Sequence, residues 1–225
     1  MELNADYRER AVVHAEQQPW VDSPLPGVSR RLLHRIGGEV AVATSIVRYA
    51  PGSYFSPHVH SGGEEFFVLE GIFSDEDGDY RQGSYVRNPV GSRHQPFSKD
   101  GCTIFVKLQQ MEPRDQEFVR VDSASKGWSP GLVAGLKVKP LFSRGPEQVA
   151  LVRWQPGTQF HRHIHDGGEE ILVLDGALED ESGRYPQGTW LRCPPGSIHQ
   201  PFSQEGCTIL VKTGHLPRLI AEAAQ

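Results

Sequence analysis

Apolar residues along this chain recur in short alternating runs rather than at helical spacing. The stretch EVAVATSIVRYAPG (39–52) alternates small and apolar residues and stops at Pro51–Gly52, the period-two signature of a strand. EEFFVLEG (64–71) is a second short strand, closed by Gly71. GSYVRNP (83–89) and GTWLRCP (188–194) are strands ended by proline, which cannot donate to a ladder. CTIFVKL (102–108) and CTILVKT (207–213) are β-branched runs suited to a barrel wall. The segments DEDGDY and ESGRY between strands carry the glycines of hairpin turns. Short strands at even spacing predict an all-β fold of jelly-roll barrels.

The pattern occurs twice. Residues 51–107 align with 156–212 at a constant offset of 105, with 33 identities in 57 positions, far above chance, so the chain carries an internal duplication. Upstream the offset is 108: Val13 matches Val121 and Trp20 matches Trp128, with three residues gained or lost near Gly38–Thr44. The expected organisation is two tandem barrels, 6–108 and 116–213. Residues 109–115 act as a polar linker, and 214–225 form a tail that could make one short helix after Pro217, a packing or frayed tail being the plainer reading.

Composition narrows the function. The 225 residues suffice for two domains of this size. The net charge is −5 without blocks of like charge, which argues against a nucleic-acid or anionic-membrane surface. No apolar run approaches the roughly 20 residues of a membrane span, and the start MELNADYRER is too polar and acidic for a signal peptide. The three cysteines Cys102, Cys193 and Cys207 form no CxxC motif and suggest reduced thiols in a cytoplasmic protein.

The chemistry concentrates in one repeated set. His58 and His60 lie two apart, so both face one side of a strand while Val59 faces the other. Gly62–Gly63 let the chain turn, Glu64 returns to the same spot, Glu65 faces away, and His94 arrives from a distant strand after Pro89 and Gly91. His163, His165, Glu169 and His199 repeat the set. Three imidazoles and one carboxylate inside a barrel suit zinc, iron(II), manganese, nickel or copper. The expectation is one divalent metal per barrel, zinc foremost, with iron, manganese or nickel as alternatives. Glu64 and Glu169 are read as ligands in preference to general bases, because an inward carboxylate needs partners.

The spacing G-x5-H-x-H-x3-E-x6-G followed by G-x5-P-x-G-x2-H resembles both signature motifs of the cupin superfamily. It is matched by Gly52, His58, His60, Glu64, Gly71, Gly83, Pro89, Gly91 and His94. It is matched again by Gly157, His163, His165, Glu169, Gly176, Gly188, Pro194, Gly196 and His199. One departure recurs: the asparagine often found four residues past the last histidine is Ser98 and Ser203, and that position is not a ligand. The finer runs GGEEFFVLEGIFSDEDGDY and PPGSIHQPFSQEGCTILVK are similar to the cupin-like domain of ChrR anti-sigma factors, over about 13–108 and 121–212. That resemblance implies a metal-binding barrel pair. It does not imply sigma-factor inhibition by the known route, which uses an N-terminal helical domain and a His/Cys zinc motif not found here. Other relatives of this cupin branch are iron-dependent dioxygenases acting on small ketones and phenols.

Further residues invite a role. Cys102 and Cys207 sit at equivalent strand starts and are read as buried inert thiols, while Cys193 replaces Asn88 near the second site. His161 replaces Ser56 and shares a face with His163 and His165 as an outer partner, an alternative ligand or a solvated residue. Arg48 with Arg153, Arg87 with Arg192 and Gln95 with Gln200 recur. An inward arginine would hold an anionic substrate, and a surface ion pair is the plainer reading. Phe66, Phe67, Phe97 and Phe202 are expected to fill the core, one of them walling the pocket. Three functions fit: a sensory or regulatory binder of a small-molecule ligand or signal, an iron- or manganese-dependent dioxygenase, or a purely structural metal protein. A monomer and a homodimer both fit two barrels in one chain.

Overall fold

A computed structural model describes residues 1–38 and 40–223. It forms two compact units, Met1–Ala5 with Gln18–Ser125, and Asp6–Gln17 with Lys126–Gln225. Each is a jelly-roll barrel built almost wholly of β-strands.

In the first barrel the main sheet is antiparallel throughout. Its order is Glu2–Leu3, Val28–Gly37, Ala41–Tyr49, Cys102–Leu108, Glu64–Asp75, Ser84–Asn88 and Val119–Asp122. Short strand pairs face it: His58–Val59 with Arg93–His94, and Ser53–Tyr54 with Phe97–Ser98. Between them lies a core of Val28, Val47, Phe66, Val68, Phe73, Val86, Ile104 and Val106, all nearly inaccessible. Burying each of these side chains contributes about 1.5–3 kcal/mol. The second barrel repeats the order with Leu136–Arg144, Glu147–Trp154, Cys207–Thr213, Glu169–Asp180 and Thr189–Cys193, then Ala11–His14 at its edge.

The last strand of each sheet corrects the expected domain boundaries. Ala11–His14 pairs with Thr189–Cys193, in the register Val13↔Trp190, and so belongs to the second barrel. Its repeat-equivalent Val119–Asp122 pairs with Ser84–Asn88, in the register Val121↔Tyr85, and belongs to the first. The physical reason is edge protection: both receiving strands would otherwise expose unpaired N–H and C=O groups, and either copy of the repeated strand satisfies either edge. The expected linker 109–115 is not a free spacer either. Gln110, Met111 and Asp115 are buried. Met111 N–H donates to the Gly62 carbonyl at 3.1 Å, and the Gln110 amide donates to the Ala43 carbonyl at 2.7 Å. This segment lies over the Gly62–Gly63 turn, where a Cβ on either glycine would strike Gln109 or Met111. At the other end, helix Leu216–Ala223 packs Leu216 and Leu219 inward, Leu216 against Gly168. Residues 224–225 lie outside the described part.

Candidate metal centres

In the first barrel His58, His60, Glu64 and His94 place one donor atom each within 4.8 Å of one another. Two paired strands supply His58 and His94, which sit directly opposite in register. The glycine turn then brings Glu64 back at the start of its long strand. His60, Glu64 and His94 are buried and His58 is half-buried. Imidazole centroids lie 4.7–5.0 Å apart, and Glu64 Oε2 lies 3.6 Å from His60 Nε2 and 3.4 Å from His94 Nε2. Donors about 2.0–2.1 Å from a shared cation would stand roughly 3–3.5 Å apart, so the Glu64 contacts are near the spacing a cation imposes.

The tautomers agree. His58 Nδ1–H donates to the Ser56 carbonyl at 2.8 Å, and His94 Nδ1–H donates to Asp75 Oδ2 at 3.1 Å. Each leaves Nε2 as the lone-pair nitrogen. The Nε2 atoms of His60 and His94 are buried without a hydrogen-bond partner. Such orphaned buried atoms are costly unless a bound group satisfies them, and a cation does so. The residues present therefore fit a divalent metal.

Electrostatics prepares the set. Burial holds the His60 pKa below its ordinary value, which keeps the ring neutral. Burial alone would raise Glu64, but the imidazoles of His60 and His94 and the Asn88 hydrogen bond outweigh it and the carboxylate titrates low. For His94, burial pulls down while the Asp75 hydrogen bond and the Glu64 charge pull harder upward. Behind the donors, Asn88 Nδ2 donates to Glu64 Oε2 at 2.9 Å, and Arg120 donates to Asn88 Oδ1 at 2.6 Å and to the Tyr80 hydroxyl at 2.9 Å. Tyr80 in turn donates to Asp75 at 3.2 Å. Arg120, brought by the edge strand, thus braces both the carboxylate and the Asp75–His94 pair.

The second barrel is a looser copy. His163, His165 and His199 form the cluster within 4.8 Å, which leaves out Glu169. Glu169 Oε2 still lies 3.4 Å from His165 and 3.7 Å from His199. His165 Nε2 and His199 Nε2 are 2.9 Å apart, His163 Nδ1–H donates to the His161 carbonyl, and His199 Nδ1 faces Asp180 at 3.4 Å. Cys193 stands where Asn88 stands, paired in register with Glu169. Glu169 Oε2 is buried without a hydrogen-bond partner, and burial pushes its pKa up to about 7. Burial holds His165 down at about 4.

A cavity of 320 Å³ opens on His58, His60 and Glu64, walled by Val28, Val47, Phe55, Ile104 and Val106 and including Arg30. Its counterpart over His163, Glu169 and His199 measures 180 Å³ and is walled almost wholly by apolar groups. His58 also borders an outer groove with Tyr54, Val59, Arg93 and Phe97.

Seven of the eight expected donors thus fall in the two clusters, and Glu169 stands beside the second cluster rather than in it. Other expectations are corrected. Arg87 and Arg192 are buried and line neither cavity over the donors: Arg87 bonds Glu65 and Asp115, and Arg192 bonds the carbonyls of Asp6 and Glu9. Arg48 and Arg153 stack on Trp20 and Trp128, 4.3 Å from each ring. His161 stacks on Phe160 at 4.0 Å. Phe97 is exposed rather than core. Glu65 does face away from the donors, though toward Arg87 rather than water. Burial pushes all three thiols up to about 11, as inert cysteines require. Sequence reasoning missed Asp75, Asp180 and Arg120. Asp75 and Asp180 recur at the 105 offset and could have been found that way.

The model of the ChrR cupin-like domain matches residues 8–112 and again 116–217. The chain belongs to this cupin family. The solved structures it resembles have the cupin fold. A putative dioxygenase from Nostoc punctiforme superposes with a TM-score of 0.75 at 19% identity, over 91% of this chain and 82% of that one. A putative glyoxylate-induced protein from Pseudomonas aeruginosa gives 0.73 at 15%, over 95% and 90%. The oxalate decarboxylase of Lactobacillus farciminis, solved with formate, gives 0.62 at 14%, over 91% and 86%. No curated protein matches. Among the described residues no helix is long and apolar enough to cross a membrane.

Proposed function

We propose that this cupin binds a divalent metal in each barrel, zinc foremost, and that the first barrel takes up a small organic molecule in a sensory or regulatory role. The observation that carries this reading is the cavity of 320 Å³ opening directly on His58, His60 and Glu64. Its walls are mainly aliphatic and aromatic, with a few polar groups, as in small-ligand sites generally. Among its described lining residues, the donors apart, only Tyr49 is a weak acid, and burial puts its pKa far above the usual phenol value. The lining therefore offers binding contacts and little provision for proton transfer. The resemblance to ChrR points the same way.

A second reading is a dioxygenase-type enzyme holding iron or manganese and acting on a small ketone or phenol. It is favoured by the position of His58, which borders both the inner cavity and the outer groove, so the donor set is approachable from two sides. Such a metal would polarise a bound oxygen and supply the redox chemistry.

One experiment separates them. Protein purified without added metal is analysed for its elements, then reloaded and tested for oxygen uptake on diketones and hydroxyaryl ketones. Zinc content with ligand-dependent thermal shifts and no uptake is the expected result. Uptake that disappears in His58→Ala with the fold retained would establish the enzyme instead.

A further inference from the structure

Resting on the reading that each barrel holds a divalent metal, we infer that the two centres divide the work. The first keeps its cation, and the second takes up and releases it, so that the free cation is itself a signal this chain reads. Cys193 is the residue that sets the difference. The donor types are the same in both barrels, so the difference comes from what stands behind them. In the first, Glu64 is fixed before any cation arrives: Asn88 Nδ2 donates to its Oε2 at 2.9 Å, and Arg120 holds Asn88 in turn at 2.6 Å. The second barrel lacks both links. Cys193 faces Glu169 in register where Asn88 faces Glu64, and a thiol donates only weakly. Val12 faces Leu191 where Arg120 faces Val86, so the edge strand brings an aliphatic side chain in place of a guanidinium. Arg10 donates to Asp180 at 3.1 Å and to the Tyr185 hydroxyl at 2.5 Å. It thus braces the partner of His199 but not the carboxylate. Glu169 Oε2 makes no hydrogen bond among the described residues and stays outside the imidazole cluster.

The imidazoles differ as well. His60 Nε2 and His94 Nε2 are buried without a hydrogen bond, so without a cation the first centre carries two orphaned nitrogens, and a cation relieves both. In the second centre His165 Nε2 and His199 Nε2 lie 2.9 Å apart. His199 Nδ1–H is directed at Asp180, so His165 donates this bond and His199 accepts it. The pair is therefore satisfied without metal. An entering cation must break that bond, take His165 in its other tautomer and order Glu169. These costs fall on the second centre, and a site organised in advance binds more tightly than one assembled on arrival. The second centre thus has the weaker hold and the exchangeable cation. Its imidazoles all lie on one two-stranded ladder, His163–His165 with Ser197–His199. Loading replaces a single hydrogen bond across that ladder by ligation from three rings, so the ladder stiffens as the cation binds.

The test uses the full chain with zinc, competed at one fixed pH against chromophoric chelators of graded strength. One zinc in each barrel is expected, with dissociation constants about 10–100-fold apart, the usual worth of a ligand's outer partner. His163→Ala should remove the weaker class and His58→Ala the tighter one. Cys193→Asn should tighten the second zinc towards the first, and Asn88→Cys should loosen the first. Adding the second zinc should slow hydrogen exchange in His163–His165 and Ser197–His199 while His58–Val59 stays unchanged. Equal affinities, a second zinc that Cys193→Asn leaves alone or loosens, or hydrogen exchange unaltered by the second zinc overturns the inference. Failure of the underlying reading looks different: the chain would take up no zinc, or would hold it equally with His58→Ala and His163→Ala combined.

Discussion

At the residue scale the two sites differ chiefly in how their carboxylates are held. Glu64 receives the Asn88 hydrogen bond, and its pKa is depressed. Glu169 has Cys193 in that place and titrates near 7. In the metal-free protein this gives a signed prediction. A carboxylate whose folded pKa exceeds its unfolded value contributes stability below the unfolded value and loses it as pH rises through the folded one. Glu169 therefore destabilises the metal-free second barrel as pH climbs from the ordinary carboxylate range to 7. Glu169→Gln should raise the melting temperature of stripped protein at pH 8 and leave it nearly unchanged at pH 4, followed by calorimetry. A second prediction concerns Asp75, which fixes the His94 tautomer at 3.1 Å. Asp75→Asn should weaken metal binding at the first site about 10–100-fold, the usual effect of removing a histidine's outer partner. Competition with a chromophoric chelator measures it, and affinity unchanged within a factor of two or so would make Asp75 merely structural.

At the element scale, a glycine sits inside each long strand, Gly71 in Glu64–Asp75 and Gly176 in Glu169–Asp180, near the point where the ladder changes register, so neither closes its strand as the sequence led one to expect. Gly71 adopts φ +74, and a Cβ there would collide with the Gly101 carbonyl oxygen. Gly176 adopts φ +69 against Gly206 in the same way. The ladders beside them are irregular at Thr103/Ile104 and Val173/Asp175. Gly71→Ala should therefore cost about 2 kcal/mol or more in urea unfolding, since both strain and a backbone clash oppose it. Much of this architecture was legible in the sequence, because the duplication repeats strand patterns, turn glycines and donors together. His58 and His60 announce a shared face by spacing alone, and Glu64 and His94 join them through recurrence. Arg120 was not legible: its importance comes from strand pairing, which places it beside Asn88 and Tyr80. Arg87 was read foremost as a surface ion pair and is an ion pair, but a buried one, which shows only once Glu65 and Asp115 are placed around it.

At the scale of the whole molecule, metal and fold should be linked in both barrels, because the donors converge only when the strands are assembled. Stripping the metal should lower the melting temperature, by roughly 2.7 kcal/mol of stability where free metal stood at about 100 times its dissociation constant. Connectivity supplies a sharper test. A repeat with constant offset identifies Ala11–His14 and Val119–Asp122 as equivalent strands. It cannot say which barrel each completes, because each offers a four-residue strand to the same kind of edge. The structure gives the earlier strand to the later barrel. Proline cannot donate to a ladder, so Val13→Pro and Val121→Pro break one edge each. Val13→Pro should speed hydrogen exchange in Thr189–Cys193 and release metal held by His163, His165 and His199, leaving Ser84–Asn88 protected. Val121→Pro should do the reverse, loosening Arg120 from Asn88 and with it the hold on Glu64. If Val13→Pro instead exposed Ser84–Asn88, each barrel would be built from consecutive sequence, and Arg120 could not be the brace of the first site.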